Sequence, residues 1–161
     1  MRVIIQPTEP EELSLIYSSW KQSTLWSSSG SAKRSCLWPR VTQAQHYILA
    51  TVVLDDWLKR AAVCLTARAE AAPTLALGWV MAGIELDTPT VYYCWVKPQY
   101  RRQGVAKALV REALVQMGGY HPPRGGPVAA QWQFSTPLRK PMTMHQHGGR
   151  YVGLVPGKVS G

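Results

Sequence analysis

The sequence predicts an α+β fold: a central mixed, largely antiparallel sheet flanked by helices. Three observations carry this. Strand-like runs follow one another from Ala62 to Val96 with short turns between them, the pattern of an antiparallel meander. Helical periodicity lies on both sides of that block. Between Val91 and Met117 the periodicity changes halfway, at Gly104, so a strand feeds directly into a helix.

Taken in order, Arg2 to Ile5 reads as a short first strand. Thr8-Glu9-Pro10-Glu11 combines a capping-box spacing with a proline in the first turn, and starts a helix. Leu13, Ile16, Tyr17 and Trp20 form its inward stripe at i, i+3, i+4 and i+7, so these aromatics are core. Ser23 to Arg40 has no period and holds the run Ser27-Ser28-Ser29-Gly30-Ser31 together with Trp26, Trp38, Lys33, Arg34 and Arg40. A connection of that length is functional or disordered, and composition does not separate the two. Thr42 caps a second helix, with Tyr47, Ile48, Val52, Leu54 and Leu58 expected inward and Lys59 and Arg60 suited to its C-terminal end.

Ala62 to Ala67 reads as a strand, Glu70 to Pro73 as a turn and Leu75 to Glu85 as a longer strand, in which Gly78 and Gly83 suggest a bulge or a close backbone approach. Val91 to Val96, β-branched and aromatic, completes the meander. Ala106, Leu109, Val110, Ala113, Leu114 and Met117 then mark one face of a helix that Gly118 and Gly119 stop. Beyond it, Val128 to Phe134 predicts a strand, Leu138 to Gln146 a short helix and Tyr151 to Val155 a last strand.

At 161 residues the chain is expected to form one domain, residues 1–161, with a core that needs no staples. Its acidic start at Glu9, Glu11 and Glu12 is no secretory signal, and Leu75 to Ile84 is too short to span a bilayer, so no membrane partner is expected. Cys36, Cys64 and Cys94 lack metal-ligand spacing and read as reduced thiols of a cytoplasmic protein. Residues 1–88 balance 8 Lys/Arg against 8 Asp/Glu, whereas residues 89–161 set 10 against Glu112 alone, so the whole net charge of +9 lies in the second half.

That half carries the most informative stretch. Arg101-Arg102-Gln103-Gly104-Val105-Ala106 links strand to helix, so its amides would point out of a helix N-terminus beside two guanidiniums, with Lys107 and Arg111 behind them. Such a turn suits an anion, a pyrophosphate above all. Arg124, Arg139, Lys140, Arg150 and Lys158 lie outside it and serve either solubility or an acidic partner.

Strand, then V-K-P-x-Y-R-R-x-G-x-A, then amphipathic helix resembles motif A of the GNAT acyltransferases, Gln/Arg-x-x-Gly-x-Gly/Ala, with Arg101, Gly104 and Ala106 at its fixed positions. The resemblance implies the GNAT fold, with the sheet splayed at the motif strand, and acetyl-CoA as co-substrate. It also implies that residues Arg101 to Lys107 hold the pyrophosphate while the backbone of Trp95 and Val96 meets the pantetheine arm. The connection after the first helix would form a wall of the acceptor pocket. As a whole, the chain is similar to short GNAT-like proteins of bacteriophages, which would put it in the host cytoplasm.

Acyl transfer to an amine needs positioning, donors for the developing oxyanion and a proton for the thiolate. The backbone near Val96 is the expected oxyanion donor. Many relatives carry a carboxylate base on the motif strand, where this chain has Tyr92, Tyr93, Cys94 and Trp95. The catalytic candidates are therefore Glu85, which with Asp87 ends the neighbouring strand, Tyr93 as a proton donor and, by analogy with tyrosines late in related chains, Tyr151. Each has a plain structural alternative: a solvated hairpin end for Glu85, packing for Tyr93. Cys94 lacks an identifiable paired histidine, and His145 and His147, two apart, fit no zinc pattern, so no metal is expected. The reading is an N-acetyltransferase acting by direct attack of an amine. Its alternatives are a catalytically silent module that binds a host protein or nucleic acid, or acylation of an amine-bearing modified nucleobase in phage DNA.

Overall fold

The elements run β1 (Val3–Pro7), α1 (Leu13–Ser23), β2 (Leu25–Trp26), β3 (Arg34–Ser35), α2 (Gln43–Arg60), β4 (Val63–Ala69), β5 (Ala72–Glu85), β6 (Thr88–Val96), α3 (Val105–Gln116), β7 (Gln133–Phe134) and β8 (Arg150–Tyr151), with 3-10 turns at Pro10–Glu12 and Pro98–Tyr100. This computed structural model describes residues 1–26, 34–35, 38, 40–85, 88–118, 133–134 and 150–151. The contacts divide the chain into two units, Thr8–Arg60 and Met1–Pro7 with Ala61–Gly161.

The larger unit is built on a sheet of order β1-β4-β5-β6-β7-β8. The first four strands pair antiparallel, while β7 runs parallel to β6 and β8 parallel to β7, so the α+β class and the mixed, mainly antiparallel sheet are as predicted. β5 starts at Ala72 rather than Leu75 because Ala69 and Ala72 already pair, which shrinks the expected turn.

Gly78 explains why a glycine is needed inside β5. A Cβ there would lie 2.4 Å from the Trp95 carbonyl oxygen and 3.0 Å from Val96 Cα, so β5 and β6 approach more closely than any side chain permits. In β6 the register shifts between Met81↔Tyr93 and Ala82↔Val91, leaving Tyr92 as the extra residue of a bulge.

α3 covers one face of this sheet. Val105, Leu109, Val110, Ala113 and Leu114 are buried against Leu65, Val80, Ala82, Val91 and Val96, and full burial of each such Leu or Val contributes roughly 1.5–3 kcal/mol. The inward face begins at Val105, 2% exposed. Ala106, expected on that face, is exposed instead, in the first turn of the helix. Gly118, at φ +73, ends the helix as predicted.

In the smaller unit, α1 buries Ile16 and Trp20 and half-buries Leu13 and Tyr17. The capping pair lies one residue later than expected: Glu9 N donates to Glu12 Oε2 at 3.0 Å, with Pro10 between them. Thr42 caps α2 reciprocally, accepting from Gln45 N at 3.2 Å while its own N donates to Gln45 Oε1 at 2.9 Å. α1 and α2 meet through Trp20 and Trp57, edge to face with centroids 5.3 Å apart. The Tyr17 hydroxyl donates to the Asp55 carboxylate, and burial together with that carboxylate pushes the phenol up to about 12.

The inward face of α2 differs from the expectation. Buried are His46, Ala50, Leu54 and Trp57, at i, i+4, i+8 and i+11, whereas Ile48 is 66% and Val52 61% exposed. Side-chain polarity misleads here because His46 satisfies its ring locally: Nε2 lies 3.1 Å from the Lys21 carbonyl, which only accepts, so Nε2 carries the proton. Burial lowers the pKa of this ring below the ordinary histidine value, which favours the neutral form.

β2 and β3 pair antiparallel, closing the two ends of the stretch read as aperiodic. Within that stretch residues 27–33, 36–37 and 39, Lys33 and Cys36 among them, lie outside the described residues. So do Asp87, the predicted helix at 138–146 and most of the predicted strands at 128–134 and 151–155.

Candidate active site

β6 delivers the chain to the motif turn. After Val96 come the Pro98–Tyr100 turn, Arg101 in extended geometry, and Arg102 at φ +63. A non-glycine residue in the left-handed region is uncommon and marks a constrained turn. Gly104 follows at φ +82 as N-cap of α3, and a Cβ placed on it meets nothing within 4 Å. The first helical bond is Ala108 N to Gly104 O at 3.0 Å. The amides of Val105, Ala106 and Lys107 precede it and project from the helix N-terminus into that open space.

Arg101 and Arg102 differ in function. Arg101 Nε donates to the Val96 carbonyl at 2.9 Å, so this side chain ties the turn back to the end of β6. Gln103 Nε2 similarly donates to the Gln99 carbonyl at 3.1 Å. Arg102 and Lys107 are exposed beside the amides. The motif therefore divides into a scaffold, Arg101 and Gln103, and a charged rim, Arg102 and Lys107.

Strand geometry decides which amides of β6 face the open edge. Lys97 N donates to the Leu77 carbonyl of β5 at 2.8 Å, and the Trp95 carbonyl also points at β5, crowding Gly78. Since backbone groups alternate sides along a strand, the N–H groups of Val96 and Cys94 point the other way, toward the edge where β7 lies. Among the described residues β7 covers that edge only at Thr90 and Val91. Among the described residues β7 therefore does not reach the Val96 amide, the expected oxyanion donor. The Cys94 amide joins it, a position that strand alternation in the sequence would have indicated. Trp95 turns its backbone to β5.

The other predicted residues are spread along the sheet. Tyr93, half-buried, pairs with Met81, and its ring packs on Trp79 with centroids 5.5 Å apart. Glu85 pairs with Thr88 at the opposite end of β5, four residues from Met81, or roughly 13 Å along the strand. It accepts a hydrogen bond from the Tyr92 hydroxyl at 2.5 Å, a pairing made by the bulge that sequence did not reveal. The Cys94 thiol is packed among core residues and burial pushes it up to about 12, so it stays protonated at neutral pH. Tyr151 pairs through its backbone with Phe134. Among the described residues no three His, Cys, Asp or Glu side chains cluster as a metal site.

A bulged strand runs through a left-handed glycine into a helix N-terminus on a mixed sheet, the arrangement of an α+β protein with an open helix N-terminus at its motif turn. Residues 29–121 match the family model of the acetyltransferase (GNAT) family, and the chain belongs to that family. The fold is also similar to that of a Pyrococcus furiosus protein described as a candidate acetyl transferase: 16% identity over 87% of this chain and 86% of that one, TM-score 0.59. A GNAT family acetyltransferase from Brucella melitensis, solved with acetyl-CoA, matches at 15% identity over 91% of this chain and 82% of that one, TM-score 0.53. Among curated proteins none matches the sequence.

Proposed function

We propose that the protein transfers the acetyl group of acetyl-CoA to an amine by direct attack. The observation that carries this is the turn at Gly104, where the helix N-terminal amides, an open space and the exposed Arg102 and Lys107 come together next to the part of the β6 edge that β7 leaves unpaired among the described residues. That set fits a pyrophosphate. The co-substrate supplies an activated acyl thioester when bound. The chain's own part is to hold its phosphates at residues 101–107 and to aim the Val96 and Cys94 amides at the carbonyl oxygen as charge develops there. The amine nitrogen forms the new bond to the carbonyl carbon and the carbon–sulfur bond breaks; the amine proton leaves to solvent and the thiolate takes one. Tyr93 and Tyr151 are the proposed donors for that last step. The protonated Cys94 thiol speaks against a covalent relay.

No carboxylate stands on β6, and Glu85 sits at the far hairpin end, engaged by Tyr92. The rate should therefore rise with pH as the acceptor amine deprotonates. Glu85→Gln and Tyr93→Phe should each lose less than the roughly 100-fold expected of a true general base. Steady-state kinetics across pH test this: one variant falling much further, with acetyl-CoA affinity unchanged, identifies a base that this reading lacks.

A second reading rests on charge: the larger unit carries twelve Lys/Arg against four Asp/Glu. Such an excess suits an acidic partner beyond the cofactor, either a nucleic acid held by a silent module or an amine-bearing modified nucleobase in phage DNA as the acceptor. The same proposal includes the likeness to phage-encoded GNAT proteins and a cytoplasmic setting. Fluorescence anisotropy with single- and double-stranded DNA over a salt series tests it. Binding at about 10⁻⁴–10⁻⁶ M or tighter that weakens log-linearly with salt is expected, and anything weaker removes nucleic acid as a partner. Turnover of acetyl-CoA with a panel of amines separates enzyme from silent module.

A further inference from the structure

Val91 and Val96 both belong to the core packed under α3, although an odd number of positions separates them. Strict alternation along a strand would put such a pair on opposite faces. The extra residue in β6 makes up the difference: Val91 lies opposite Ala82 and Tyr93 opposite Met81, with Tyr92 between them. Cys94 also packs against that core, so Tyr92 and Tyr93, though consecutive, both turn to the other face, where Tyr93 meets Trp79. The bulge therefore sets the phase of the strand beyond it. Were the extra residue taken up into the ladder, Trp95 would move into the place of Val96. Its amide, rather than those of Cys94 and Val96, would then turn away from β5.

A hydrogen bond ties that extra residue down. The Tyr92 hydroxyl donates to Glu85 Oε1 at 2.5 Å, the short end of the range for O–H···O bonds. The ring of Tyr92 is 2% exposed, and its hydroxyl reaches back past the rungs Ala82↔Val91, Gly83↔Thr90 and Ile84↔Pro89 to the last one, Glu85↔Thr88. The bond thus spans the ladder between the bulge and the hairpin end. A bulge shifted by one residue would move the hydroxyl by roughly 3.3 Å and out of reach of that carboxylate. We infer that Tyr92 and Glu85 are positioning residues: their bond fixes the bulge at this rung and so aims the Cys94 and Val96 amides at the acyl carbonyl. What those amides meet rests on the acetyl-transfer reading; which way they point rests on the sheet alone. Glu85 acts here through the strand, since it stands seven residues along β5 from Gly78, the partner of Val96, or roughly 23 Å.

Tyr92→Phe tests this, because it removes the hydroxyl and keeps the buried ring. Its kcat should fall about tenfold, a part of what losing an oxyanion donor costs. Its acetyl-CoA affinity, by calorimetric titration, should stay within about twofold of wild type. Glu85→Ala should match it, and the double variant should fall no further than either alone. Glu85→Gln, whose amide oxygen still accepts, should keep kcat within about threefold of wild type. In amide proton–nitrogen correlation spectra of the full chain, Tyr92→Phe should shift the Cys94 and Val96 resonances, a readout that needs no turnover. Shifted resonances in a protein that transfers no acetyl group would remove the acetyl-transfer reading and support the pinned bulge. Unmoved resonances, a wild-type kcat in Tyr92→Phe, losses that add in the double variant, or Glu85→Gln falling as far as Glu85→Ala would each overturn the inference.

Discussion

Gly104→Glu should abolish acetyl-CoA binding while leaving the chain folded. The conformational cost comes from the backbone: a side chain at φ +82 is strained by roughly 1–2 kcal/mol, and no neighbouring atom lies within 4 Å of the new Cβ to add a clash. That open space is where the helix amides point, so a carboxylate there would both fill the anion site and repel its occupant. Gly104→Ala separates the two effects, since it carries the strain without the charge. Arg102→Ala, which removes one charge-assisted contact from the exposed rim, should cost roughly 1.5–3 kcal/mol of binding. Calorimetric titration with acetyl-CoA, alongside denaturant unfolding of each variant, gives the comparison. Unchanged affinity in Gly104→Glu would mean that the turn does not hold the cofactor.

The motif turn could be read from sequence because its physics is local. A strand period, a glycine and a helix period in that order fix where the amides go, and Gly104 adopts the left-handed conformation the turn needs. Thr42 and Gln45 were legible for the same reason, as a cap is made within four residues. Long-range effects were not. The bulge at Tyr92 depends on how β6 pairs with β5, and only that pairing brings the Tyr92 hydroxyl to Glu85. The inward face of α2 was misassigned because apolar Ile48 and Val52 outrank His46 and Ala50 on any polarity scale. The buried ring of His46 is satisfied by Lys21 of another helix, twenty-five residues earlier. The division of labour between Arg101 and Arg102 has the same character: adjacent and chemically alike, they are separated by the carbonyl of Val96, which Arg101 alone engages.

Val96→Pro should lower kcat by roughly 10²–10³ with acetyl-CoA affinity largely kept, the loss seen when one oxyanion donor is removed. Proline deletes the amide hydrogen at this position without breaking the β5–β6 ladder. The Val96 N–H points away from β5, so no bond of the β5–β6 ladder is lost, and the neighbouring bond from Lys97 N to the Leu77 carbonyl at 2.8 Å remains. Trp95, the residue before it, is already extended, as a pre-proline residue should be. Val96 is 7% exposed and packs with the α3 face, so some stability will be lost through its side chain. Val96→Ala measures that part alone, because it removes the same packing and keeps the amide; its kcat should stay within about tenfold of wild type. Equal losses in both variants would trace the effect to packing. A folded Val96→Pro enzyme turning over at the wild-type rate would show that the developing negative charge is met elsewhere, leaving the Cys94 amide on the same edge as the next donor to test.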